Sequence, residues 1–140
     1  MTDLTYRRLR VIVLAPAAAL LTWAVVRLAG VDLVLKDGGT VGAVNVFAAA
    51  VAGALAGWLV VRLLERHTRN PRSWWSLVGS AALAVSIIGP SHLADGASAA
   101  ALITLHFVTA VVVITGFART LPCRGCGLDL RRAPESNPAR

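Results

Sequence analysis

Residues 41–64 read VGAVNVFAAAVAGALAGWLVVRLL, an apolar run whose single charged residue is Arg62. This run exceeds the ~20 residues that an α-helix needs to cross the ~30 Å hydrocarbon core of a bilayer. Three more stretches share its length and apolarity, at residues 11–29, 75–93 and 97–118. Lipid offers the backbone no hydrogen-bond partner, so each stretch must be a helix. The sequence therefore predicts an all-α fold, an integral membrane antiparallel four-helix bundle over residues 1–120, followed by a tail at 121–140.

Basic residues occupy alternate breaks between the four stretches. Of the 14 Lys and Arg residues, only Arg27, near the end of the first stretch, and Lys36, between the first and second, belong to one side. The other twelve belong to the opposite side, because they precede the first stretch, lie at the end of the second or between it and the third, or follow the fourth: Arg7, Arg8, Arg10, Arg62, Arg66, Arg69, Arg72, Arg119, Arg124, Arg131, Arg132 and Arg140. Basic residues in short loops stay in the cytoplasm. The pattern predicts a multi-pass protein of the cell inner membrane with the N- and C-termini cytoplasmic.

The net charge of +7 is also compatible with nucleic-acid binding, but its distribution argues against that function. Because the arginines follow the topology, we expect the lipid bilayer, with its anionic headgroups, to be their partner. Few residues lie outside the apolar stretches, so no separate soluble catalytic domain is expected. The first stretch is too long for the apolar region of a secretory signal peptide, and Arg27 stands where a cleavage site needs small neutral residues.

Small residues in the second stretch predict close helix packing. Ala49, Gly53 and Gly57 recur at every fourth position, and this spacing lets two helix backbones approach closely. The partner helix can belong to the same chain or to a second copy, which makes these residues a candidate homo-oligomer surface. In the third stretch, Trp74 and Trp75 are typical of interfacial anchors, and Gly89–Pro90 predicts a kink or an end of the helix.

Several segments resemble a known family. They include the region around Trp23, the arginine-rich loop before Trp74, the segment SIIGP at residues 86–90, and LHFVTAVVVITGFAR at residues 105–119. Together they are similar to an uncharacterised actinobacterial family of small four-helix integral membrane proteins, a domain of unknown function. The resemblance covers about residues 6–119. It implies the four-helix membrane fold and implies no activity.

Polar residues inside a membrane are costly and need either a partner or a use. His106 lies about ten residues beyond the turn at Asp95–Gly96, so it is ~15 Å deep and close to the bilayer centre. Ser86 lies at the same depth before that turn, Thr22 is at a similar depth, and Thr109 shares the His106 stripe. We predict that His106 faces the other helices in a buried polar cluster with these residues, hydrogen bonded to Ser86 or Thr22. The cluster can fix the helix register, bind a small molecule or carry a proton.

A second group of polar residues falls near the outer boundary. Arg27, Asn45, His92 and Asp95 are candidates for the lining of an outer vestibule. The alternative is that Arg27 extends to the interface and that Asp95 is a turn residue. His92 lies ~10 Å shallower than His106, so the two are not expected to ligate one haem iron.

The tail contains Cys123 and Cys126 in a Cys-x-x-Cys-Gly segment. This spacing is half of a zinc ribbon, and it is also the spacing of a redox dithiol. A tetrahedral zinc site needs two further ligands, which a second copy of the chain can supply. Zinc is therefore one possible cofactor, and an unliganded tail with reduced cytosolic thiols is the alternative.

These observations predict a small polytopic membrane protein that is not an enzyme. It is expected to act as an accessory or interaction protein, or to bind a lipid-like or small apolar ligand. The alternative is a membrane redox, cofactor-binding or metal-binding protein that uses His106 or the Cys123–Cys126 pair.

Overall fold

Four long helices make up the computed structural model, which describes residues 3–122. They are α1 (Asp3–Leu28), α2 (Ala43–His67), α3 (Pro71–Leu93) and α4 (Gly96–Ala118). Each is long and apolar enough to cross a membrane. They pack as an all-α bundle in which consecutive helices run antiparallel, and the predicted fold class is confirmed.

Three helices are longer, at one end of the bundle, than the apolar stretches from which they were predicted. The first begins at Asp3, so the basic residues Arg7, Arg8 and Arg10 form its first turns instead of preceding it. At the same end of the bundle, α2 continues to His67, and α3 starts with Pro71 in its first turn. Proline fits there because its missing N–H has no helical partner at that position. Apolarity marks the part of a helix in hydrocarbon, while the helix itself continues into the polar layer.

Neither proline within a helix ends it. Pro16 is buried inside α1, and Pro90 lies inside α3 three residues before its last residue. The helix ends where the N–H of Ala94 donates to the Pro90 carbonyl at 3.1 Å. Gly96 then has a φ of +54°, a left-handed conformation that glycine adopts without steric cost, and α4 starts at this residue.

The helices form a ring with one weak side. α1 packs extensively against α2 and α4, and α3 packs extensively against α4. The contact between α2 and α3 is smaller, and α1 and α3 do not touch within residues 3–122. We call the end with Asp3, the 68–70 loop and Ala118 the basic end. The opposite end, with residues 29–42 and the turn at Ala94–Asp95, is the capped end.

Trp75 is the centre of the core at the basic end. Its ring is 3% exposed, its Nε1–H donates to the Ile114 carbonyl at 2.9 Å, and it meets Phe117 edge-on at 5.7 Å between centroids. Gly57 makes room for this packing, because a Cβ there would lie 3.2–3.4 Å from Val113, Trp75 and Phe117. The prediction of Trp75 as an interfacial anchor is wrong, whereas Trp74 is exposed.

The capped end is closed by the loop at residues 29–42. Leu33 of this loop is 2% exposed and packs in the core of the capped end. The backbone N–H of Lys36 donates to the Leu93 carbonyl at 2.9 Å, and Trp23 Nε1–H donates to the Val41 carbonyl at 3.1 Å. The Ser98 hydroxyl donates to the Asp32 carbonyl at 2.8 Å. The loop is thus attached to α1, α3 and α4 before it enters α2.

Candidate functional site

Two close helix contacts fix which residues lie at the same level of the bundle. Gly79 packs so closely on Ile114 that an added Cβ would lie within 2.9 Å of it, and at Gly116 an added Cβ would lie within 2.7 Å of Val11. Counting along the antiparallel helices from these contacts places Ser86 on α3 and Thr22 on α1 at the level of His106. His106 lies near the middle of α4, whereas Ser86 and Thr22 lie about two turns before the ends of α3 and α1.

Hydrogen bonding does not join these residues into a cluster. Thr22 donates to the Ala18 carbonyl at 2.9 Å, and Thr109 donates to the Leu105 carbonyl at 2.7 Å. His106 Nδ1 lies 2.9 Å from the Leu102 carbonyl. Each side chain thus bonds the preceding turn of its own helix, a common solution for polar groups within helices. Within residues 3–122, the predicted bond from His106 to Ser86 or Thr22 is not formed.

His106 is exposed, although it shares a helix face with two residues of α4 that are buried nearer the basic end. Val113 and Phe117, two and three turns further along the same face, are buried against Gly57 and Trp75. At His106 that face is open. The prediction that His106 is buried among the other helices is therefore wrong. At this level the buried residues of α4 are Leu102 and Leu105, on the adjoining face of the helix.

The opening lies between α2 and α3. Gly53, one turn from Gly57, has no heavy atom within 4 Å of an added Cβ, and neither does Gly89. Ala49 and Ala82, on the facing sides of the two helices, are exposed. The contact that Gly57 of α2 makes with Trp75 of α3 is therefore not repeated at Gly53 or Gly89. We use the name α2–α3 cleft for the open surface that the following positions of α2, α3 and α4 share: Ala49, Gly53, Ala82, Ser86, Gly89 and His106.

The cleft presents one donor and one acceptor at the same depth. Ser86 is half-buried and makes no hydrogen bond to any described residue. When His106 donates through Nδ1–H to Leu102, its Nε2 is the remaining polar atom, and in the uncharged ring it accepts. Polar groups without partners in the hydrocarbon layer are costly. Such a pair therefore favours a polar partner from outside this chain.

The residues predicted for an outer vestibule do not form one unit. Arg27 pairs with Asp32, and Asp95 pairs with Lys36 Nζ at 3.1 Å. Asn45 and His92 are exposed and form no hydrogen bond or ion pair with the described residues. Arg27 and Asp95 thus belong to the ion pairs of the capped end, where they stabilise the loop at residues 29–42.

Sequence reasoning missed the buried ion pair of the basic end. Arg8 on α1 is 6% exposed, and its Nη1 donates to Glu65 Oε2 on α2 at 3.0 Å. A second bond joins Nη2 to Glu65 Oε1, so the pair is bidentate. The available signal was Glu65, the one acidic residue in an arginine-rich segment, which indicated a partner for one of the arginines. The sequence did not show which of Arg7, Arg8 and Arg10 faces α2.

The candidate metal ligands Cys123 and Cys126 lie outside the described residues. Between residues 3 and 122, no group of three or more His, Cys, Asp and Glu side chains is arranged to hold a metal ion. Zinc at the cysteine pair therefore stays a prediction.

Comparison with known proteins identifies the four-helix unit. The model of a family of unknown function, DUF6069, matches residues 1–122. The chain belongs to this family. The match includes all four helices and the loop of the capped end, and it stops just before Cys123. No curated protein and no solved structure matches the chain.

Proposed function

We propose that this protein is a non-enzymatic membrane interaction protein that pairs with a second copy of itself through the α2–α3 cleft. The observation that supports this function is the pair of unpartnered groups in the cleft, the Ser86 hydroxyl and His106 Nε2, at one depth in the bundle. The proposal places the chain in the cell inner membrane of an actinobacterium, with the basic end in the cytoplasm.

Symmetry explains why a second copy is the preferred occupant. A two-fold axis along the membrane normal keeps every residue at its own depth, so Ser86 of one copy meets the level of His106 in the other. The serine O–H donates and His106 Nε2 accepts, and the same bond forms in the opposite direction across the axis. An isologous interface of this kind satisfies both polar groups in both copies.

The shape of the cleft favours the same occupant. Ala49, Gly53 and Ala82 have little or no side chain, which lets two helix backbones approach closely. Gly57 takes no part in the proposed interface, because Trp75, Val113 and Phe117 already fill the space beside it. The predicted homo-oligomer surface is thus reduced to Ala49 and Gly53 on α2.

Disulfide cross-linking in membranes tests the proposal. The full chain, with Cys123→Ser and Cys126→Ser to remove the native thiols, carries either Ala49→Cys in the cleft or Leu21→Cys as a control. Leu21 lies near the same depth on α1 and is 68% exposed. We expect a covalent dimer from Ala49→Cys and none from Leu21→Cys after mild oxidation. Equal cross-linking at both positions, or none at Ala49→Cys, would contradict the proposal.

Two other functions use the same residues and have their own tests. A lipid-like or small apolar ligand in the cleft would remain with the protein during purification and appear in its mass spectrum. A metal or redox function would depend on Cys123, Cys126 or His106. For zinc shared between two copies, metal analysis of protein purified without chelator should give about one zinc per two chains.

A further inference from the structure

We infer a second site, independent of the cleft: the groove between α1 and α2 at the basic end binds an anionic phospholipid. Apolar side chains from both helices line its length, and charged side chains stand at its end. The lining residues that matter for binding are Leu9, Ile12, Leu55, Trp58, Arg62 and the Arg8–Glu65 pair.

The charged end of the groove has an excess of positive charge. Arg8 and Glu65 offset one another in their bidentate ion pair. Arg62 stacks its guanidinium on the Trp58 ring, 5.0 Å from the centroid, and no carboxylate among the described residues pairs with it. Trp58 thus holds a free cation at the mouth of an apolar groove, which is a suitable arrangement for a phosphate.

Arg8 supplies a further donor. Its Nε is buried and is the one such side-chain nitrogen or oxygen in residues 3–122 without a hydrogen-bond partner. An unpaired buried donor is destabilising, and a charged one more so. A phosphate oxygen at the end of the groove can satisfy it after a small side-chain shift. Arg8 and Arg62 would then hold the same headgroup from opposite walls.

The direction of the groove matches the direction of a lipid. Arg8 and Arg62 lie near the basic ends of their helices, at the level of headgroups. Leu55 lies two turns from Arg62 towards the bundle centre, or ~10 Å deeper, and Ile12 lies one turn deeper than Arg8. An acyl chain that runs along these apolar side chains places its phosphate between the two arginines. A free phosphate would use only the charged end, so we assign the site to a phospholipid.

Native mass spectrometry of the full-length protein in detergent tests this site. The probes are phosphatidylglycerol and phosphatidylcholine with the same acyl chains. The variants are Arg62→Gln and, as a control, Arg66→Gln, which removes an exposed arginine of α2 that does not line the groove. We expect the wild type to bind phosphatidylglycerol in preference to phosphatidylcholine. Arg62→Gln should lower phosphatidylglycerol binding about fivefold, the effect of losing one interfacial arginine, and Arg66→Gln should leave it nearly unchanged.

Three outcomes would overturn the proposal. The first is equal binding of the two lipids by the wild type, and the second is an equal loss in both variants, which indicates a diffuse charge effect. The third outcome comes from a competition experiment, which adds glycerol phosphate, the headgroup anion without acyl chains, at the same concentration as the lipid. If it displaces phosphatidylglycerol, the site recognises a free anion and not a lipid. Cross-linking through Ala49→Cys is read separately, so the two proposals can fail independently.

Discussion

The two ends of the bundle use arginine and lysine in opposite ways. At the capped end, Arg27 pairs with Asp32 and Lys36 pairs with Asp95, and both pairs attach the loop at residues 29–42. At the basic end, most arginines are exposed and have no carboxylate partner among the described residues; these are Arg10, Arg62, Arg66, Arg69, Arg72 and Arg119. The comparison shows which charges stabilise the fold and which remain free to act on the membrane.

Free charge at one end has a consequence for insertion. A paired cation next to a carboxylate contributes little net charge to its side of the membrane, whereas an unpaired arginine keeps its full attraction for anionic headgroups. The basic end therefore differs from the capped end in net charge as well as in the number of cations. In the proposed orientation it is the number of Lys and Arg residues that retains the basic end in the cytoplasm, because acidic residues contribute little to this rule.

The largest expected effect is on topology, where the result is all or none. In a chain that lacks Cys123 and Cys126, Thr40→Cys at the capped end should react with a membrane-impermeant thiol reagent added to intact cells. Arg69→Cys at the basic end and Asn137→Cys in the tail should react only after the membrane is opened. A reaction of Arg69→Cys in intact cells, or protection of Thr40→Cys, would reverse the proposed orientation.

The next effect concerns the one arginine of the basic end that is buried. Arg8→Ala leaves Glu65 partly buried without its partner, and we expect a loss of about 3 kcal/mol in the free energy of unfolding. Arg7→Ala is the matched control, because Arg7 is exposed and its pair with Asp3 is 3.6 Å long, so its loss should be near zero. Unfolding in mixed micelles measures both.

A third variant tests whether the loss of stability in Arg8→Ala comes from the unpaired charge left on Glu65 or from the lost attraction between the two side chains. Arg8→Met with Glu65→Met replaces the ion pair by apolar side chains and should recover most of the stability lost in Arg8→Ala. If Arg8→Ala and Arg7→Ala have the same stability, Arg8 belongs with the free arginines, and the contrast between buried and exposed charge at this end is wrong.

A smaller effect on the free energy of unfolding compares the close contact between α1 and α4 with the open surface between α2 and α3. Gly116→Ala places a Cβ 2.7 Å from Val11 and should cost about 1–3 kcal/mol of stability through overpacking. Gly53→Ala adds the same methyl group where no atom lies within 4 Å, so the monomer should be unchanged or slightly more stable, since alanine favours a helix. Equal losses in unfolding free energy would indicate that α2 and α3 are in contact at Gly53.

The bundle and the common level of three of its polar residues could be predicted from the sequence. The length of an apolar run predicts a membrane helix. Counting residues from the turn at Asp95–Gly96 then predicts how far along the bundle each residue of α3 and α4 lies. The common level of Ser86, Thr22 and His106 follows from those two facts. These inferences need no knowledge of how the helices pack, which is why they agree with the structure.

The surroundings of His106 could not be predicted, for a physical reason. A helix-face argument assumes that every inward face is covered evenly along its length. Here Trp75 fills the space beside Gly57 and brings α2 and α3 together at one end, while Gly53 and Gly89 remain open at the other. The burial of Trp75 depends on the same contact between distant residues. Sequence periodicity alone contains no information about such contacts.

The smallest expected effect on stability, and the sharpest test of the cleft, comes from His106→Leu. The imidazole bonds only the Leu102 carbonyl of its own helix, so removing it should change monomer stability by less than about 0.5 kcal/mol. The proposed dimer would lose two symmetric bonds to Ser86, each worth about 0.6 kcal/mol, and cross-linking through Ala49→Cys should fall about sevenfold at limiting protein density. Thr109→Val is the control, because its hydroxyl bonds the Leu105 carbonyl and takes no part in the interface. If His106→Leu cross-links as well as Thr109→Val, the polar pair does not hold the copies together. The cleft would then depend on its small residues alone, and Ala49→Leu should be the variant that separates the copies.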